Sequence, residues 1–152
     1  MDLWLVRHGE AVPASVDLAC PLSAEGERAV SAVAVSLAGE MGRLDLVAAS
    51  RKRRARQTAE ILGAAAGYPV DRIEETEALS PDASPERFLA FLEENRDKEH
   101  ILCVGHLPSI ARIASFLLPK GDPVNLVFDP ASVCRIRLSS LSSGEGELLF
   151  SR

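Results

Sequence analysis

Short apolar runs alternate along this chain with longer segments in which apolar residues recur at helical spacing. The runs at 3–6 and 101–104, and a mostly apolar run at 44–49, are too short for helices and predict buried strands. Helices are predicted at 23–41, 50–67, 84–92 and 110–118. This alternation predicts an α/β protein in which helices are layered on a sheet.

The ends of several elements carry residues with known positional preferences. Ser23 is a predicted helix N-cap, and Gly42 is predicted to end the same helix. Ser84 followed by Pro85 predicts another helix start, because proline is favoured at the first helical position. A further short strand is predicted near Ile73.

The last part of the chain predicts a hairpin. Strands at 133–138 and 147–150 are joined by a turn at 142–144, and this pair is expected to run antiparallel to part of the sheet. No internal repeat or long linker interrupts the order of elements. Residues 1–152 are therefore predicted to form a single domain.

A histidine follows each of two predicted strands within a few positions, namely His8 and His106. If these strands are parallel neighbours, about 4.8 Å apart, both histidines emerge side by side at the carboxyl edge of the sheet, where α/β proteins bind ligands. Arg7 adds a guanidinium, which matches phosphate oxygens in pairs, and a neutral imidazole can attack phosphorus. The two histidines together with Arg7 predict a phosphate-binding pocket. The third histidine, His100, precedes its strand and is expected at the surface.

Five cations occupy the six positions 51–56 of a chain whose formal net charge is −5. This segment lies where the second predicted strand ends and a helix begins, so it reaches the same edge if that strand is also parallel. A helix N-terminus offers unpaired N–H groups and a favourable dipole to an anion. We therefore expect Ser50 and at least one arginine of this run beside the two histidines, with the other cations facing solvent or an acidic partner.

Composition narrows the possible classes of function. The chain has 152 residues, and its acidic balance and 5% aromatic content argue against nucleic-acid or acidic-lipid binding. Its apolar runs are too short to cross a bilayer, and the first strand begins too early for a signal segment, which predicts a cytoplasmic protein without membrane contact. Cys20, Cys103 and Cys134 are scattered, so reduced thiols are expected, and no metal-ligand spacing occurs.

Four motifs follow one another over most of the chain. They are Leu5-Val6-Arg7-His8-Gly9-Glu10, Pro21-Leu22-Ser23-Ala24-Glu25-Gly26, Ser50 with Arg54-Ala55-Arg56-Gln57-Thr58, and Val104-Gly105-His106-Leu107-Pro108. Together they resemble the histidine phosphatase superfamily in its RHG branch, and most of all its short SixA-type phosphohistidine phosphatases. The resemblance implies a three-layer α/β/α fold with a mostly parallel central sheet, which is the phosphoglycerate mutase-like fold, with a minimal lid.

The resemblance also implies roles for particular residues. His8 is expected to be the nucleophile, and no metal or cofactor is required. The catalytic set is expected to comprise His8, Arg7, Arg54 and His106, and the phosphate contacts to comprise Arg7, Arg54, His106, Gly9 and Ser50.

One position departs from the wider superfamily pattern. Superfamily phosphomonoesterases usually carry a carboxylic acid, in a leucine-x-acid arrangement, that protonates the departing alkoxide, and Pro81 stands at the matching position here. General acid help is worth about 10²- to 10⁴-fold, so ordinary esters should react slowly. A phosphorylated imidazole needs less help to leave, which favours phosphohistidine as the substrate. Glu77 and Asp82 are the candidate proton donors if their loop bends inward.

Three hypotheses about function follow. The leading one is a phosphohistidine phosphatase that acts, as a monomer, on a protein such as a phosphotransfer domain or carrier in a phosphorelay. Its rival among enzymes is a phosphatase for a small phosphate ester, which requires an acid among Glu77, Asp82 and Glu10. A non-catalytic phosphate-binding module is the alternative from another class.

Overall fold

The computed structural model of the protein describes residues 1–120 and 126–152. Its strands are β1 (Asp2–Arg7), β2 (Leu46–Ala49), β3 (Glu74–Glu75), β4 (His100–Gly105), β5 (Val133–Leu138) and β6 (Gly146–Ser151). Its helices are α1 (Ala24–Met41), α2 (Arg53–Ala65), α3 (Pro85–Glu94) and α4 (Ser109–Leu117), with short 3-10 turns at Val70–Arg72 and Glu77–Leu79. The strands join in one six-stranded sheet in the order β3-β2-β4-β1-β5-β6.

The register of the sheet brings the ends of three strands together. β4 lies between β1 and β2 and is parallel to both, with Arg7 opposite Gly105 and Ala49 opposite Val104. The carboxyl ends of these strands therefore meet at one edge, as predicted, and this edge is called the carboxyl edge below. β3 is parallel to β2, whereas β5 and β6 are antiparallel and form the predicted hairpin.

Helices cover both faces of the sheet, which confirms the three-layer α/β/α prediction. Alternate residues of β1 point to opposite faces, as the period of a strand requires. Leu3 and Leu5 pack in one core with α3 and α4, and Trp4 and Val6 pack in the other core with α1 and α2. Because the central strands are buried on both faces, they read in the sequence as unbroken apolar runs.

Most of the predicted helix ends are confirmed. The Ser23 hydroxyl accepts the Gly26 N–H at 3.0 Å, and the Ser84 side chain caps α3 in the same way. The basic helix differs, because α2 begins at Arg53 and not at Ser50. Ser50 instead continues the pairing of β2 with β4, because its N–H donates to the Val104 carbonyl at 3.1 Å.

The apolar interior also holds two of the cysteines. Cys103 and Cys134 are buried free thiols, as predicted, and burial raises the pKa of Cys134 to about 12 and raises that of Cys103 as well. Cys20 is a free, half-buried thiol. None of the helices in residues 1–120 and 126–152 is long and apolar enough to cross a membrane.

Candidate active site

His8 stands at the carboxyl edge, directly after β1, and its ring is held in one orientation. The backbone N–H of His8 donates to the Gly105 carbonyl at 3.0 Å, which continues the pairing of β1 with β4. The ring atom Nδ1 lies 2.6 Å from the Gly9 carbonyl oxygen. Because a carbonyl only accepts, Nδ1 carries the proton and Nε2 keeps its lone pair. Arg54 confirms this tautomer, since its Nε donates to Nε2 at 3.3 Å.

The His8 ring is uncharged at neutral pH. Its pKa is lowered to about 4, mainly because the ring is buried, while the Gly9 hydrogen bond opposes this shift and Arg54 and Arg7 add to it. An uncharged ring with a free lone pair on Nε2 can act as a nucleophile.

His106 lies beside His8, as the parallel strands predicted. The two ring centroids are 4.8 Å apart. Burial lowers the pKa of His106 to about 3, with further lowering from His8 and the nearby cations, so this ring is also uncharged at neutral pH. Its Nε2 lies 2.6 Å from the Ser50 hydroxyl oxygen. Its Nδ1 is buried and has no hydrogen-bond partner among the residues the structure describes.

Two guanidinium groups flank the histidines. Arg7 donates from Nη1 to the Phe128 carbonyl at 2.7 Å, and this hydrogen bond fixes one side of the guanidinium group. The Arg7 Nε is buried without a partner in the described parts of the chain. Arg54, on the first turn of α2, reaches His8 directly. Positive charge is thus concentrated around the His8 lone pair, where a phosphoryl group would stand.

The other cations of the basic run have different positions. Arg56 ties α2 to the segment before β3, since it contacts Glu60 at 3.0 Å and donates to the Ile73 carbonyl at 3.1 Å. Lys52 and Arg53 are exposed, and Arg51 forms an ion pair with Glu77 at 3.3 Å. Within this run, Arg54 is the cation in contact with a site histidine.

Gly9 differs from its predicted role. Its N–H, the one donor it could offer to a phosphate oxygen, donates to the Thr58 hydroxyl at 3.1 Å, and its carbonyl oxygen accepts from the His8 ring. A Cβ at this position would lie 2.6 Å from Cγ2 of Val30, which explains why the position needs glycine. Gly9 positions His8 and packs against α1.

Thr58 is a site residue to which sequence reasoning assigned no role. Its hydroxyl accepts from Gly9 and donates to the Arg54 carbonyl at 2.8 Å, so it joins the segment after His8 to the helix that carries Arg54. Gln57 has a similar function, because its Oε1 accepts the Leu22 N–H at 2.8 Å. The available signal was a threonine in the middle of a helix, where a buried hydroxyl needs partners.

Ser50 also differs from its predicted role as a phosphate contact. It is 1% exposed, and its hydroxyl oxygen accepts the Lys52 N–H at 3.1 Å in addition to contacting His106. Its polar group therefore faces the His106 ring.

The third histidine, His100, lies at the start of β4, away from the carboxyl edge. Its ring is partly exposed, as predicted, and its Nδ1 lies 3.8 Å from an Asp2 carboxylate oxygen.

The candidate proton donors are near the carboxyl edge but are engaged. β3 runs parallel to β2, so the turn that contains Glu77 follows at the same edge, and the Leu79 carbonyl packs against Gly105. Glu77 is paired with Arg51. The Ser80 hydroxyl donates to Asp82 and, as the largest cause, lowers the pKa of this exposed carboxyl group. Glu10 is exposed and accepts the Ser23 hydroxyl at 3.1 Å.

Comparison with known proteins connects this site to a family. Residues 3–80 match the model of the histidine phosphatase superfamily, branch 1. An uncharacterised protein of Picosynechococcus sp. is 34% identical over 133 residues, which cover 83% of this chain and 79% of the relative. The match to the family model includes the strand and the motif that carry Arg7 and His8.

Solved structures share the whole fold. The protein histidine phosphatase SixA complexed with tungstate is 25% identical, with a TM-score of 0.86 over 99% of this chain and 96% of its own. A candidate phosphohistidine phosphatase SixA from Nakamurella multipartitia is also 25% identical, with a TM-score of 0.82 over 99% and 94%. The α-ribazole phosphatase from Shigella flexneri has the same fold at 21% identity, with a TM-score of 0.73 over 97% and 96%. The chain therefore belongs to branch 1 of the histidine phosphatase superfamily, with a fold of the SixA type.

Proposed function

We propose that this phosphatase removes the phosphoryl group from a phosphohistidine of a partner protein and carries that group transiently on Nε2 of His8. The observation that carries the proposal is a contrast within the site. The nucleophile is uncharged and oriented, whereas each of the candidate acids Glu77, Asp82 and Glu10 is engaged by another side chain. Such a site suits a leaving group that needs little protonation.

In the first step, the Nε2 lone pair of His8 attacks phosphorus. The bond from phosphorus to the substrate imidazole breaks, and its electron pair stays on that ring nitrogen. If the other nitrogen of the substrate ring carries a proton, the ring leaves as neutral imidazole and no acid is needed. Before substrate binds, Arg54 donates a hydrogen bond to Nε2. As the phosphorus approaches Nε2, the guanidinium must donate to the phosphoryl oxygens instead.

In the second step, a water molecule attacks the phosphoryl group and the bond from phosphorus to Nε2 breaks. The electron pair returns to Nε2 and inorganic phosphate leaves. Because the Gly9 carbonyl keeps a proton on Nδ1, His8 departs as a neutral ring. Arg7 and Arg54 supply the positive charge around the phosphoryl oxygens, so we propose that the reaction requires no metal ion.

Exposed apolar side chains around the carboxyl edge support a protein substrate. Leu107 directly follows His106, and Val127 precedes the Phe128 carbonyl that holds Arg7. Val16 and Leu18 are 76% and 90% exposed in the loop between Glu10 and α1. These four side chains are called the apolar rim. Apolar side chains around a polar site are a feature of protein contact surfaces, whereas small ligands are usually enclosed.

A substrate panel tests the proposal. A phosphohistidine-bearing phosphotransfer protein, a sugar phosphate and a nucleotide are each offered to the wild-type protein at neutral pH, with release of inorganic phosphate as the measurement. We expect the phosphohistidine protein to have the higher kcat/KM by about 10²-fold or more, since general acid help is worth at least that for an alkoxide. A faster reaction of the sugar phosphate or nucleotide would contradict the proposal and make Glu77, Asp82 or Glu10 a working acid.

The apolar rim can be tested separately from the chemistry. Val16→Ser combined with Leu18→Ser should raise KM for the phosphohistidine protein by about tenfold, because apolar contact area is lost, and should leave hydrolysis of free phosphohistidine unchanged. Val35→Ser is the matched control, because Val35 is 79% exposed on α1, outside the loops of the carboxyl edge. Equal effects of the rim variant on both substrates would show that the rim does not contact the partner protein.

A further inference from the structure

The Ser50 hydroxyl is buried between two polar groups. Its oxygen lies 3.1 Å from the Lys52 backbone nitrogen and 2.6 Å from Nε2 of His106, and the residue is 1% exposed. A backbone N–H can only donate, so the hydroxyl oxygen accepts from Lys52. The hydroxyl hydrogen then requires an acceptor, because buried polar groups are almost always hydrogen-bonded.

Nε2 of His106 is the acceptor within reach of that hydrogen in the described residues. The ring is uncharged at neutral pH, since burial lowers the pKa of His106 to about 3. An uncharged imidazole carries one proton, and Nε2 must keep its lone pair to accept from Ser50. The proton of His106 is therefore on Nδ1.

Nδ1 of His106 is then a buried N–H donor without a partner among the described residues. A buried donor without a partner lowers the stability of the protein, so binding of a ligand that supplies an acceptor is favoured. The His106 ring is 4.8 Å from the His8 ring, so a phosphoryl group on Nε2 of His8 would bring oxygen atoms close to it.

We infer that Ser50 is a positioning residue that holds the proton of His106 on Nδ1, so that this ring offers an N–H to the phosphoryl group. The opposite tautomer would offer a lone pair, which repels phosphoryl oxygens. Ser50 acts through His106 and does not touch the substrate. The effect on turnover rests on the proposed function, whereas the position of the proton does not.

Nitrogen NMR of protein with isotopically labelled histidine tests the position of the proton directly. The chain has three histidines, so a His106→Gln variant identifies the His106 signals. In the wild-type protein at neutral pH we expect a protonated Nδ1 and an unprotonated Nε2 on His106. We expect Ser50→Ala to populate the other tautomer and Ser50→Thr, which keeps a hydroxyl, to restore the first. A protonated Nε2 in the wild-type protein would overturn the inference without any variant.

Binding and kinetics give the second readout. Ser50→Ala should weaken binding of inorganic phosphate by about tenfold, the effect of one hydrogen bond, and raise KM by a similar factor, with recovery in Ser50→Thr. Ser109→Ala is the matched control, because Ser109 is equally buried and donates to the His106 backbone carbonyl at 2.9 Å instead of contacting the ring. Equal losses in the Ser50 and Ser109 alanine variants would show a merely structural role and overturn the inference.

The two proposals fail in different ways. A protein that shows the expected tautomer and phosphate binding but does not hydrolyse phosphohistidine removes the proposed function and leaves the inference about Ser50. A protein that hydrolyses phosphohistidine with the His106 proton on Nε2 does the reverse.

Discussion

Replacing His8 with alanine should reduce phosphohistidine hydrolysis by roughly 10⁴-fold or more, because the variant lacks the atom that accepts the phosphoryl group. Binding of tungstate, a tetrahedral oxyanion, should persist, since Arg7, Arg54 and His106 remain in place. The measurement is phosphate release together with calorimetric titration of the oxyanion. The variant should also fold, because alanine keeps the backbone hydrogen bonds that His8 makes with Gly105 and Ala131.

A trapping experiment can capture the intermediate. The wild-type protein is quenched during turnover of a radioactively phosphorylated substrate. Label on the protein should survive a basic quench and be lost in an acidic one, as expected of a bond from phosphorus to imidazole. His100→Ala is the matched control, since this histidine lies at the start of β4 with a half-exposed ring, and it should retain both label and turnover. Acid-stable label, or label that persists in His8→Ala, would contradict the assignment of His8 as the nucleophile.

Replacing Arg54 with alanine should lower kcat/KM by about 10²- to 10³-fold. This side chain donates to the reacting nitrogen in the resting site and is expected to donate to the phosphoryl oxygens in the transition state. Losses of this size follow when one preorganised donor is removed from a developing negative charge. Arg54→Lys should recover only part of the loss, because an ammonium cannot reproduce the paired donors of a guanidinium.

The neighbouring arginine provides a control with the same change of charge. Arg53 precedes Arg54 on α2 and is exposed, so Arg53→Ala should leave kcat/KM for a small phosphohistidine substrate within about twofold. Steady-state kinetics of both variants at the same salt concentration decide the matter. Similar losses in the two variants would mean that the basic run acts by its general charge and that Arg54 has no specific contact with the phosphoryl group.

The elements of the fold follow from signals that lie close together in the chain. Unbroken apolar runs predicted the buried parallel strands, and serine with proline predicted the start of α3. The start of α2 was wrong by three positions, because it depends on contacts that Ser50 makes with β4 and not on its sequence neighbours. Local preference cannot predict a hydrogen bond to a strand that lies far along the chain.

The site shows the same division. The sequence predicted that His8, His106, Arg7 and one arginine of the basic run meet at a common edge, because parallel pairing places the carboxyl ends of strands together. The parallel pairing of β4 with β1 and β2 confirms this edge. It identified Gly9 as a phosphate contact, yet the Gly9 N–H is already donated to Thr58, which lies 49 positions further along. Which donors remain free for a ligand depends on every partner within about 3 Å, and tertiary packing chooses those partners.

The sequence by itself therefore determined the order of the elements, the superfamily motifs and the types of side chain at the carboxyl edge. Only the tertiary structure decided which nitrogen of His8 is free, which cation reaches it and which carboxylates are engaged. The physical reason is that periodicity and capping act between near neighbours, whereas proton positions and pKa values depend on burial and on atoms from distant segments. The contact between Ser50 and His106 spans 56 positions, and the three-dimensional arrangement alone reveals it.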